Sequence, residues 1–348
     1  MQRFVCRPSI ASSSRLAQVT THLVVVAYEH LTRRTMATVS TLGPAPWRKV
    51  FLEHVQTMPS PEFSLGTVRK TSTPTGGVAC APRTRTCVFR GLFADLPANP
   101  KNEAELNPDL YESDFLALTT DRRMDKMAEL FGVETGNDGN DGGDEEEEAK
   151  KLAGSGGGAP VEAVFWVKET STQWRVRGRA YVLAPDIEGS PEGRQVISKL
   201  RARMRRKKNS NSNSNSGAAG SSSEGSSSGS GGSSKQWSFG REITAHFGNL
   251  SPQMRGTFRN PAPGTPVALP VRDGRLGLGQ KVVDLRDEVA RSNFRVVVLV
   301  PDELDRADLS DPERARRWLY TFVGGGKTES TTPGGSIEDG WEKVEVWP

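Results

Sequence analysis

The sequence predicts a mainly β protein, with a few helices, built around an antiparallel barrel. Three observations carry that expectation. Eight segments are rich in β-branched and aromatic residues. Two of them alternate strictly along the chain. The helical stretches are few and do not separate successive strands, as a parallel doubly wound sheet would require.

Taken in order, WRKVFLEHVQTM (47–58) reads as a helix and FSLGTVRK (63–70) as the first strand. TRTCVFRGLF (84–93) alternates, with Thr84, Thr86, Val88 and Arg90 on one side and Arg85, Cys87 and Phe89 on the other. FLALTT (115–120) is a strand that runs into a helix at 122–131. EAVFWVK (162–168) precedes QWRVRGRAYVL (173–183), where Trp174, Val176 and Gly178 oppose Arg175, Arg177 and Arg179. A helix is expected at 192–208 and another around 281–291. FRVVVLV (294–300), WLYTFV (318–323) and WEKVEVW (341–347) complete the strands.

Two stretches lack the side chains to offset the entropy of ordering. Residues 134–160 are acidic and glycine-rich, and 209–234 hold only Ser, Gly, Asn, Ala and one Glu. Flexible insertions are therefore expected at about 134–160 and 203–235. Residues 1–40 are expected to form a disordered leader or targeting segment, and 41–348 a single domain. The leader carries five Arg and only Glu29, a composition like that of a mitochondrial transit peptide, so the location is read as cytoplasmic or mitochondrial.

The isoelectric point near 9.0 invites a nucleic-acid reading, but the charge is peripheral. The leader carries +4, KLRARMRRKK (199–208) +7 and the acidic loop −6, so the remainder is near neutral. The basic run reads as a solvated helix end, and nucleic acid is not expected as a partner. A membrane span is not expected either, because the longest apolar run, Leu23 to Tyr28, is far too short. Cys6, Cys80 and Cys87 fit neither a disulfide framework nor a zinc pattern, and the four histidines are scattered, so no metal site is expected. GGGKT (324–328) lacks the upstream glycine and following helix of a phosphate-binding loop and reads as a glycine-rich hairpin.

Three segments share cations and hydroxyls at strand ends: Arg85–Arg90, Thr119–Lys126 and Gln173–Ala180. Such groups suit a phosphate and a planar heterocycle, or else are solvated strand-edge charges. At these residues the chain resembles the pyridoxamine 5′-phosphate oxidase-like FMN-binding proteins, which fold as a split β-barrel. Arg85 to Arg90 matches the family's Arg-x-Val-x-x-Lys strand, with Arg90 in the lysine position. LTTDRRMDK (118–126) resembles its phosphate turn, and QWRVRGRA (173–180) its Gln-Val-x-Val-x-Gly-x-Ala strand. RRWLYTF (316–322) and WEKVEVWP (341–348) resemble the closing hairpin, and further segments resemble the branch in which the domain stands alone.

The resemblance implies an FMN cofactor at the interface of a homodimer and an unidentified small-molecule substrate. It implies that Arg85 and Lys126 hold the phosphate, with Arg123 assisting and Thr120 donating its hydroxyl. Arg90 would lie near the flavin ring or the substrate. Gln173 would bond the isoalloxazine edge, and Arg317 would reach the cofactor from the other subunit. Thr86 and Arg175 complete the implied cofactor-binding set; the catalytic residues are left open. Met124 and Asp125 replace the family's Ser and Arg in the turn, Ala307 stands where it has a Trp, and Glu313-Arg314-Ala315 replaces its substrate-gripping Arg-Leu-His. A flavin-dependent oxidoreductase is therefore the leading expectation. The alternatives are a true pyridoxamine/pyridoxine 5′-phosphate oxidase and a non-catalytic flavin carrier or sensor.

Overall fold

The computed structural model describes residues 42–73, 75–135, 144–207 and 236–348. The expected leader at 1–40 and most of the second insertion, 208–235, lie outside them.

A ten-stranded, almost wholly antiparallel sheet dominates, with the main order β11-β12-β10-β9-β7-β6-β1-β2. These strands are β1 (Glu62–Ser72), β2 (Val78–Val88), β6 (Gly156–Val167), β7 (Thr172–Leu183), β9 (Phe294–Asp308), β10 (Arg316–Phe322), β11 (Ser336–Glu338) and β12 (Trp341–Val346). Strand β9 pairs with β7 along its length on one edge. On its other edge the first half pairs with β4 (Leu116–Asp121) and the second half with β10. Just beyond β2 the chain turns onto β4: Arg90 N donates to Ala117 O at 2.8 Å and Ala117 N to Gly91 O at 3.0 Å. That junction closes β4-β9-β7-β6-β1-β2 into a barrel, from which β10, β12 and β11 split away.

The apolar run of β9 follows from its position. Val297 and Leu299 enter the barrel core, whereas Val296, Val298 and Val300 enter a second core on the opposite face. A strand buried on both sides needs no polar alternation. Helix α1 (Arg48–Thr57) plugs the barrel with Phe51, whose ring meets Phe165 edge-on at 5.2 Å and Trp174 at 5.4 Å. The second core is covered by α4 (Pro191–Arg201), α5 (Phe239–Gly248) and α7 (Glu288–Asn293), through Leu200, Phe247 and Ala290 among others. The remaining short elements are α2 (Lys126–Phe131), α3 (Asp144–Ala153), α6 (Pro252–Gly256) and the strands β3 (Tyr111–Glu112), β5 (Glu134–Thr135) and β8 (Arg205–Arg206). No helix of the described residues is long and apolar enough to cross a membrane.

Several sequence expectations shift. The loop expected at 134–160 is partly regular structure: β5 pairs with β1, α3 follows, and the glycine run opens β6. Those glycines are required by close packing. Gly157 adopts φ +97°, and a Cβ there would lie 2.8 Å from Ala180 O. Gly178 is equally constrained, because β9 bulges opposite it, leaving Asp302 without a β7 partner between Pro301 and Glu303, and a Cβ would stand 2.0 Å from Val300 O.

The helix expected at 192–208 ends at Arg201, and β8 pairs with β3. The basic run is correspondingly not a solvated helix end. Arg205 is buried and paired with Asp114 and Glu112, Arg203 binds Asp302 at 2.9 Å, and Lys207 binds Asp95 at 3.2 Å. These three cations are partners of carboxylates remote in sequence, whereas Lys199, Arg201 and Arg206 are exposed. The helix expected at 281–291 is confined to 288–293, where Asp287 caps it by accepting from Ala290 N. Helix α5 was not foreseen; Ser238 caps its start by accepting from Arg241 N.

Candidate functional site

A cavity of about 1200 Å³ opens where β2, β4 and the turn into α2 meet. Strand β2 contributes Thr86, Cys87 and Val88, and the turn beyond it contributes Arg90. Strand β4 adds Thr119, Thr120 and Asp121, and Lys126 starts α2. The strap at 260–278 roofs the space.

The local fold explains the placement. The Asp121 carboxylate accepts from Arg123 N at 2.8 Å and from its guanidinium at 2.9 and 2.6 Å, tying the 121–125 turn. This turn delays the helix expected from 122 until Lys126, leaving six residues of helix. Side-chain cations, rather than a long helix terminus, are therefore what the site offers an anion.

Lys126 is buried, and its Nζ donates to Thr120 Oγ1 at 2.8 Å. Burial holds its pKa below the usual lysine value. Arg90 is half-buried with its Nε sealed from solvent and unpartnered, and burial likewise lowers its pKa. Neither cation forms an ion pair with a carboxylate among the described residues. Cys87 lies beside them, and burial raises its thiol pKa against the pull of Lys126 and Arg85.

The other expected cations are committed elsewhere. Arg85 sits on the core-facing side of β2, pairing with the fully buried Glu129, which also holds Arg69 at 3.0 Å and accepts from Thr67. Arg123 is held by Asp121 and donates to Asn260 O at 2.9 Å and Phe258 O at 3.3 Å, anchoring the strap. Asp125 pairs with Arg69 at 3.2 Å.

Gln173, Arg175 and Arg317 do not line this cavity. Gln173 stands opposite Ala307 on β9, which stands opposite Arg317 on β10. Arg175 and Arg317 share Asp305, the latter at 3.0 and 2.8 Å. Burial would raise the Asp305 pKa, but the two guanidiniums outweigh it and the net shift is downward. One chain thus gathers Thr86, Arg90, Thr120 and Lys126, and leaves Arg85, Arg123, Gln173, Arg175 and Arg317 outside. Sequence reasoning missed the strap. Its signal was there in NPAPGTPVALP, where aliphatic residues occur in a Pro-rich stretch that no strand or helix would bury.

Cations that line a cavity with no carboxylate in ion-pair contact are a donor set a phosphate fits. Residues 44–184 match the family model described as "Pyridoxamine 5'-phosphate oxidase, FMN-binding domain". No curated protein matches the chain. Among solved structures, the chain is similar to a pyridoxamine 5′-phosphate oxidase-related, FMN binding protein from Nostoc punctiforme. That likeness has 17% identity and a TM-score of 0.47, and covers 88% of this chain and 100% of the other. It is also similar to PhzG from Burkholderia lata, crystallised in complex with tetrahydrophenazine-1-carboxylic acid, with 13% identity, a TM-score of 0.34 and coverage of 89% and 100%. The matched residues 44–184 run from before β1 to the end of β7 and include both Arg90 and Lys126, so it is this part of the chain that is similar to the FMN-binding domain of that family.

Proposed function

We propose that the cavity holds the FMN phosphate on Lys126 and Thr120, with Arg90 directed at the remainder of the ligand, and that the protein is a flavin-dependent oxidoreductase acting on a small molecule. The observation that carries this reading is that the buried Lys126 and the half-buried Arg90 line one cavity and neither has a carboxylate within ion-pair distance among the described residues. A buried charge is costly unless something pairs with it, and a dianionic phosphate is the partner the family supplies.

When bound, FMN supplies hydride or electron transfer; this chain's own residues bind and orient it. Lys126 and Thr120 fix the phosphate end. Cys87 and Val88 give an apolar patch beside the cations that limits water, and Arg90 places positive charge beyond the phosphate. Arg85, paired with Glu129, shapes the wall from behind rather than meeting the anion directly.

Gln173, Arg175 and Arg317 lie away from this cavity, so a site using all the family positions needs two chains. A homodimer in which the second copy brings its Gln173–Arg317 row to the cofactor meets that requirement.

The test is the absorbance spectrum of the purified protein after incubation with FMN and removal of the free cofactor. The expected result is a flavin spectrum that survives desalting, and that Lys126→Met and Arg90→Met each diminish. A wild-type protein that cannot retain FMN after reconstitution overturns the reading. Bound flavin that no electron donor reduces would instead make the protein a carrier or sensor.

A further inference from the structure

The cavity exceeds the roughly 300–1,000 Å³ of an ordinary small-molecule site, and its roof is unlike its floor. The strap at 260–281 contains no helix or strand, yet both of its ends are pinned. Arg123 holds Asn260 O, and Gly277 N donates to Arg259 O at 2.9 Å. Val282 N donates to Pro252 O at 3.0 Å, and Gly256 packs so tightly on the Gln280 carbonyl that a Cβ would lie 1.8 Å from its oxygen.

Between these pins the aliphatic side chains are left in solvent. Val267 is 102% exposed, Leu278 80%, Leu269 56% and Val271 49%, and all four line the cavity. Met254 and Met124, also exposed, extend the same wall. Such a contiguous apolar surface facing a cavity marks a place where an apolar group binds. Its one acid, Asp273, is consumed by Arg275, which donates Nη2 at 2.8 Å and Nε at 3.0 Å. The strap also brings Arg272 to the lining, so the cavity divides into a floor that carries Lys126 and Arg90 and a roof in which aliphatic side chains predominate beside one guanidinium.

We infer that the space under the strap is a second subsite, beside the cofactor, that takes a predominantly apolar small molecule, and that the strap closes onto it. This rests on the reading of the floor as the FMN phosphate site. The substrate class that follows is a hydrophobic small molecule rather than a phosphorylated one, because the phosphate-binding cations are already occupied by the cofactor. Closure would remove the four aliphatic side chains from water and the reacting region with them.

The experiment is calorimetric titration of 2-naphthol and, separately, of pyridoxamine 5′-phosphate into full-length protein, with and without FMN. The readout is binding, independent of turnover. The expected result is that, in the FMN-loaded protein, 2-naphthol binds more tightly than pyridoxamine 5′-phosphate. The double substitution Val267→Asp with Leu278→Asp should weaken 2-naphthol at least tenfold while FMN retention is unchanged. Both positions are solvent-exposed, so the fold tolerates the change, and circular dichroism verifies it. An unchanged 2-naphthol affinity in the double variant, or tighter binding of pyridoxamine 5′-phosphate to the FMN-loaded protein, overturns the subsite. Failure of the cofactor reading shows separately, as absence of FMN from wild-type protein; the 2-naphthol titration of the FMN-free form still decides whether the strap binds apolar rings.

Discussion

Lys126 donates to Thr120 Oγ1 at 2.8 Å across the turn between β4 and α2, and that hydroxyl is its only hydrogen-bond partner among the described residues. An ammonium has three donors, so two remain for a ligand. Arg90, on the neighbouring wall, is likewise without an ion pair among the described residues.

Lys126→Met should weaken FMN binding by about 10- to 100-fold, because a hydrogen bond to a charged group contributes about 1.5–3 kcal/mol. Stability should not fall, since the buried ammonium is replaced by an apolar chain of similar length. Flavin fluorescence titration and thermal melting of the apoprotein measure the two effects independently. Arg90→Met should lower affinity as well. Arg85→Met should lower it least, since Glu129 already engages that guanidinium.

Glu129 is the counterpart. It is fully buried and holds Arg85, Arg69 and Thr67 together at the end of the barrel. Glu129→Ala should destabilise the fold by about 2 kcal/mol, less than for a wholly buried pair because both arginines reach solvent. Urea unfolding of wild type and variant gives the difference. A variant as stable as wild type would show that the carboxylate does not hold this corner.

His246 on α5 is wholly buried, stacked over Phe93 at 6.3 Å, with its Nε2 unpartnered and 3.9 Å from Glu242 Oε1. Burial, with a smaller contribution from Arg90, pushes its pKa down to about 4. A depressed histidine pKa means that the unfolded chain takes up a proton near pH 6.5 while the folded chain does not. Stability is therefore lost as pH falls from about 6.5 towards 4, with a slope of at most about 1.4 kcal/mol per pH unit from this one group. Glu242 acts in the opposite sense. Burial raises its pKa, against bonds from Asn107 and the Ala94 backbone and with Asp95 adding to the rise, so the folded state keeps a proton that the unfolded state releases above about pH 4.5. His246→Leu should flatten the acid limb of the stability curve, and Glu242→Gln should steepen it. Denaturant melts from pH 4 to 7 read both slopes.

The barrel strands were legible because periodicity two and aromatic content survive in any environment that buries one face. β9 was legible for a different reason: a continuous apolar run with both faces covered. The glycine run before β6 was misread because composition alone cannot separate a glycine that lacks a role from one that fits under Ala180 O. The cations show the same limit. Arg85, Arg90 and Arg123 look equivalent in sequence, and only the positions of Glu129 and Asp121 reveal that Arg90 is the uncommitted one. The basic run at 199–208 misled in the same way, because Asp114, Asp302 and Asp95, its partners, are remote in sequence.

Gly178→Ala tests the bulge that sets the register of β7 on β9. The added methyl would collide with the Val300 carbonyl, which is backbone and cannot move aside without breaking the ladder. A loss of about 3 kcal/mol or more is expected, since such overpacking forces backbone shifts. A melting temperature within a degree or two of wild type would show that the ladder yields easily.

The separation of Lys126 from Gln173 and Arg317 sets the last expectation. If the cofactor is held between two copies, a Lys126→Met chain still offers its Gln173–Arg317 row to a partner. A chain carrying Gln173→Ala and Arg317→Met still offers its Lys126. Each variant alone forms only defective sites. Mixed in equal amounts and allowed to exchange, half of the dimers combine one of each, and each mixed dimer has one site built from unaltered halves. About one quarter of all sites should then retain FMN, by the arithmetic of random pairing in a two-fold dimer. A site built within one chain would be damaged in every combination, so the mixture would retain no more flavin than the separate variants. Flavin absorbance per protein after refolding the mixture distinguishes the two, and sedimentation of the same sample establishes that dimers formed.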